Sequence, residues 1–103
     1  MYKLTFYVPD THVEIVKSAV FAVGAGRIGD YEACSWQVMG QGQFRPLQNA
    51  TPFIGQADQL ETVAEWRVEM VVAESYIHAT IAAFKQAHPY ETPAFDVIKT
   101  EAF

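Results

Sequence analysis

The chain has 103 residues, which leaves room for one domain, residues 1–103, and not two. Half of the residues are apolar and 14% are aromatic, a globular composition with material for one modest core. Seven Lys and Arg against twelve Asp and Glu leave a net charge of −5, which argues against nucleic acid and anionic membrane as partners, because both select a basic surface. The longest apolar stretch, Ala19 to Ala25, falls far short of the roughly 20 residues that cross a bilayer. The N-terminus has no signal-peptide layout, and the single Cys34 cannot form an internal disulfide, so the expected location is the cytoplasm.

Tyr2, Leu4, Phe6 and Val8 alternate with Lys3, Thr5 and Tyr7, the period of a half-buried strand. Pro9-Asp10 ends that run. Thr11 and Glu14 have the spacing of a capping box, and Val13, Val16, Val20 and Val23 place an apolar stripe on the helix that follows. A glycine-rich loop covers residues 24–32. Cys34, Trp36 and Val38 then alternate as a second strand, and Gly40-Gln41-Gly42 reads as a hairpin turn with Gln43 to Leu47 returning. Residues 48–61 carry no sustained period and read as a long loop.

A third strand runs from about Val63 to Ala73, with Trp66, Val68, Met70 and Val72 on one side and Arg67 and Glu69 on the other. Ser75 is the expected N-cap of a second helix carrying Ile77, Ile81 and Phe84, which Pro89 stops with His88 in the last turn. A final strand covers Ala94 to Thr100. The order β-α-β, a hairpin, then β-α-β predicts an α+β ferredoxin-like sandwich, one antiparallel sheet with both helices on one face. The helix-free face would carry Tyr7, Val71 and either Met39 or Trp36, large residues that favour self-association.

Two segments carry the chemistry. Gly24-Ala25-Gly26-Arg27-Ile28-Gly29 fits the pattern G-x-G-x-x-G, but a helix precedes it and a strand follows, the reverse of a dinucleotide-binding turn. It reads either as a glycine C-cap with a tight turn or as bare backbone amides beside Arg27, suited to an anionic ligand or a neighbouring subunit. His88-Pro89-Tyr90-Glu91-Thr92-Pro93 sets two prolines around His88, Tyr90 and Glu91, an arrangement that displays those side chains on a stiff backbone. As metal ligands, His88 and Glu91 would be only two, and a site would need groups from elsewhere. His12 and His78 read as surface residues and Cys34 as a small buried hydrophobe. No Ser-His-Asp spacing, P-loop, CxxC or HExxH occurs.

Taken together, Gly24 to Asp30-Tyr31, Cys34-Ser35-Trp36, Gly40 to Pro46, Pro52-Phe53-Ile54-Gly55 and His88 to Asp96 resemble the inserted domain of the NIF-three-like (YqfO-type) proteins, over nearly the whole chain. The His-Pro-Tyr-Glu element also resembles the CutA divalent-cation-tolerance proteins, which share the trimeric ferredoxin-like architecture of the PII signalling proteins. Larger family members hold a two-metal centre in flanking domains and are sometimes named GTP cyclohydrolase type 2. The resemblance covers the insert alone, so it implies a free-standing module to which hydrolase or cyclohydrolase activity does not transfer.

The expectation is therefore a non-catalytic homo-oligomer, a trimer rather than a dimer, binding a small anionic ligand or a partner such as a separate metal-centre protein. Its sites would lie between subunits, where Gly24, Gly26, Arg27, Gly29, Asp30 and Tyr31 meet His88, Tyr90 and Glu91. No cofactor is expected beyond, in the rival CutA-like reading, one divalent ion per subunit on His88 and Glu91.

Overall fold

In the computed structural model, which describes residues 1–103, the alternation of the first segment becomes a two-faced strand, β1 (Tyr2–Pro9). Leu4, Phe6 and Val8 are fully buried on one face. Helix α1 (Val13–Ala22) lays Val13, Val16 and Val20 against them. After the glycine loop come β2 (Trp36–Phe44) and β3 (Glu61–Val72), then one short 3-10 turn (Glu74–Tyr76), helix α2 (Ile77–Ala87) and β4 (Phe95–Lys99). All neighbouring strands are antiparallel, in the order β2-β3-β1-β4. Both helices cover one face, where Val68, Met70 and Val72 of β3 join Phe84 of α2 in a single core. The α+β ferredoxin-like sandwich is the observed fold.

Three local expectations are corrected. Gly40-Gln41-Gly42 is not a turn: β2 runs straight through it, paired with Glu65, Ala64 and Val63, and the reversal is made by the long loop after Phe44. Gly42 serves a different need, since the Glu65 carboxylate lies where its Cβ would stand. The capping box does not form. A turn from His12 N–H to the Pro9 carbonyl (3.0 Å) makes His12 the cap residue, and the Thr11 hydroxyl pairs with His12 Nδ1 (2.8 Å) while Glu14 accepts from Lys17. Ser75 likewise caps nothing, because it lies inside the 3-10 turn ahead of α2.

The register settles the helix-free face. Tyr7 and Val71 share it with Trp36, while Met39 points to the other side, opposite Trp66. Trp36 and Ile98 are each about 60% exposed there. At the centre of that face Glu69 accepts from Lys3 (3.0 Å) and Arg67 (2.8 Å), and those bonds, led by the one from Lys3, hold its carboxyl below the usual range.

Candidate functional site

The glycine loop is a piece of scaffold. Gly24 and Gly26 take positive φ (113° and 76°), where a side chain is strained. Gly26 N–H donates to the Val71 carbonyl (2.8 Å) and Cys34 N–H to the Gly26 carbonyl (2.8 Å), which stitches the loop to the end of β3. A Cβ at Gly24 would stand 2.7 Å from the Tyr76 ring, and one at Gly26 2.8 Å from the Cys34 carbonyl oxygen. Arg27, Gly29, Asp30 and Tyr31 project outward as an exposed turn closed by reciprocal Ile28–Tyr31 backbone bonds. The Arg27 guanidinium sits 5.6 Å from the Tyr76 ring centroid.

The His-Pro-Tyr-Glu segment lies at the other end of the sheet. β4 pairs with β1 only as far as Phe6, which leaves the Tyr7 carbonyl without a strand partner. His88 supplies one. Its Nε2–H donates to Tyr7 O (2.7 Å), and Nδ1 accepts from Tyr90 N–H (3.0 Å), so the network selects the neutral Nε2–H tautomer. The ring is 6% exposed and packs edge-on against Phe84, 5.3 Å between centroids. Burial holds its pKa below the ordinary value, with the nearby His12 pushing the same way and the Tyr7 carbonyl opposing. His88 is thus an internal strut, not a displayed side chain.

Tyr90 and Glu91 do face an opening. The loop of residues 45–60 folds over the Phe44 end of the helix-free face and encloses a groove of about 390 Å³. Tyr90 stands between Phe44 (6.3 Å between centroids) and Phe53 (6.4 Å). Its hydroxyl donates to Glu65 Oε2 (3.3 Å) on the groove floor. Burial and the adjacent Glu65 push the Tyr90 phenol up to about 12, and burial raises Glu65 despite that hydrogen bond. Glu91 latches the loop: its two oxygens accept from the Thr51 N–H (3.1 Å) and hydroxyl (3.2 Å). Phe53 reaches past the end of β1 to meet His12 edge-on at 5.4 Å.

Within one chain, the two expected segments stay apart. The glycine loop anchors at Val71 and the His88 strut at Tyr7, whose partner on β3 is Arg67. Four positions of strand separate those points, about 13 Å. Reading the sequence missed the groove's other walls, Glu65, Phe44 and Phe53. Glu65 lies on the side of β3 that also carries Arg67 and Glu69, and a hairpin at Gly40 would turn Phe44 away from it. No group of three or more His, Cys, Asp or Glu side chains is gathered as a metal-ligand set, and His88 and Glu91 are each engaged as described.

No family model matches the chain. It is 50% identical over 95 residues, 92% of its length, to the GTP cyclohydrolase 1 type 2 homolog of Mycobacterium leprae (strain TN), of which it covers 25%. It is 43% identical over 99 residues to the protein of that name in Bacillus subtilis (strain 168), covering 26%. The chain therefore spans about a quarter of the length of these relatives. Among solved structures, a Bacillus cereus protein related to NIF3 superposes with a TM-score of 0.84 at 37% identity, over 98% of this chain and 26% of that one. The PII-like protein CutA from Nostoc sp. PCC 7120 superposes at 0.69 with 20% identity, covering 98% and 82%. The periplasmic divalent cation tolerance protein CutA of Archaeoglobus fulgidus gives 0.68 at 14%, covering 100% and 87%. These last two establish shared fold. The chain is thus similar, over nearly its whole length, to one domain-sized segment of the NIF3-related proteins, and it carries the CutA/PII-like fold.

Proposed function

We propose that this domain is a non-catalytic, homo-oligomeric binding or regulatory module of the cytoplasm, working as a trimer that takes a small ligand or partner protein near its subunit boundaries. The observation that carries the reading is the groove itself: a concave, largely apolar site with a few convergent polar groups, in the size range of about 300–1,000 Å³ common for small ligands. It opens on a sheet face that no helix covers and that presents Trp36, Val38 and Ile98. Because the glycine loop and the Tyr90–Glu91 segment lie at opposite ends of the sheet, they would meet only between copies. Arg27, with Asp30 and Tyr31 beside it, is the part of that loop free to reach a neighbour.

The groove is poorly suited to catalysis. Tyr90 is a weak acid there, and His88, the natural general base, has both ring nitrogens engaged inside the fold. On this reading the activity named for the longer relatives is not assigned to this segment. A divalent-ion role after the Archaeoglobus neighbour's name would require His88 to give up Tyr7 or Tyr90, which otherwise leaves Glu91 as the one available ligand of that pair.

Multi-angle light scattering across a dilution series tests the assembly. The expected mass is three times the 11.5 kDa of the chain. A monomer at every concentration would remove the intersubunit site.

A further inference from the structure

The groove has a chemical character of its own. Its floor offers an acceptor: Glu65 has one hydrogen-bond partner, the Tyr90 hydroxyl, and lies folded over Gly42. Glu65 and Glu91 stand there against one cation, Arg45, and Glu91 is already engaged with Thr51. The walls are aromatic, with Tyr90 flanked by Phe44 and Phe53 at spacings where π faces meet both rings and cations. Burial has stripped part of the water from the Glu65 carboxylate, and an incoming cation would relieve the cost of that.

The geometry points to a small arylalkyl amine as the ligand of this groove, with its ammonium on the Glu65 carboxylate and its ring among Phe44, Phe53 and Tyr90. The inference rests on the reading of the Tyr90–Glu91 region as a ligand site, but it needs no second subunit. A neutral ligand would leave the floor carboxylate without a counter-charge, and an anion would meet Glu65 head-on. Loop 45–60 supplies the adaptable wall, since Thr51 is held by Glu91 alone at that point and Phe53 remains half exposed.

Phenethylammonium, 2-phenylethanol and 3-phenylpropionate share a ring and differ in charge, so titrating the full chain with each, by calorimetry and by ¹H–¹⁵N spectra, separates the contributions. The amine is expected to bind saturably, shifting the amides of Phe44, Thr51 and Tyr90. The alcohol is expected to bind about tenfold more weakly or worse, and the carboxylate not at all. Glu65→Gln should abolish the preference for amine over alcohol. Phe53→Ala, at an exposed loop position, should weaken both and stands as the second variant if the first does not fold. Equal affinity for amine and alcohol, or no saturable binding of the amine, would overturn the inference. Light scattering on the same samples keeps the two readings distinct: a monomer that binds the amine overturns the assembly alone, and a trimer that ignores it overturns the ligand alone.

Discussion

The two ends of the sheet are built from different materials. At the Val71 end, the glycine loop is held by backbone bonds, from Gly26 N–H to Val71 and from Cys34 N–H to Gly26, and its glycines are required by positive φ and close approach. At the Tyr7 end, the groove is held by side chains: His88 on the Tyr7 carbonyl, Tyr90 on Glu65, Glu91 on Thr51. A backbone-built corner tolerates little change and offers little chemistry. A side-chain-built corner can change its chemistry by substitution while the fold persists, which is why the proposed binding is placed there.

Breaking the backbone corner should have the largest effect. Gly26→Ala combines strained φ with a Cβ 2.8 Å from a backbone oxygen that cannot step aside, so a loss of about 3 kcal/mol is expected in urea unfolding. Removing the strut comes next. His88→Ala leaves the Tyr7 carbonyl and Tyr90 N–H unpaired and a void beside Phe84, for about 2 kcal/mol. The strut also sets a pH dependence. His88 titrates lower folded than unfolded, so its contribution is full above the ordinary histidine value of 6.5 and is lost as pH falls toward the folded pKa. Thermal midpoints of the wild type and the His88→Ala variant between pH 7 and pH 5 should converge.

Smaller effects sharpen the contrast. Glu91→Ala frees Thr51 at an exposed latch and should cost about 1 kcal/mol or less, while speeding proteolysis within residues 45–60. Glu65 has the opposite sign from His88. Its raised pKa means that ionisation works against the fold, a cost that sets in as pH rises from 4.5 through the folded value, so Glu65→Gln should leave stability at pH 7 unchanged or higher. Arg27→Ala, which loses one exposed stack on Tyr76, should change stability by about 0.5 kcal/mol while weakening subunit or ligand contact.

What was legible in the sequence follows the same division. The alternation of Leu4, Phe6 and Val8 and the spacing of Val13, Val16 and Val20 are periodic signals set by the core, and they survive intact in the structure. Gly40 and Gly42 mimicked a turn because glycine is the usual residue of turns; here Gly42 makes space for a side chain of the next strand, a reason written in β3 and not in β2. His88 looked displayed because its partner, the Tyr7 carbonyl, is freed only by the early end of β4. The groove combines residues 44, 53, 65 and 90, and that pairing across a long loop leaves no local pattern to read.

Amide hydrogen exchange tests the division between the two ends most directly. The Gly26 and Cys34 amides are predicted to exchange only through global unfolding, with the full denaturant dependence of the core strands. Those of Thr51 and Gln59 are predicted to exchange through a local opening nearly independent of denaturant, and faster still in Glu91→Ala. Loop 45–60 exchanging together with the core, or the Gly26 and Cys34 amides opening locally, would contradict the account.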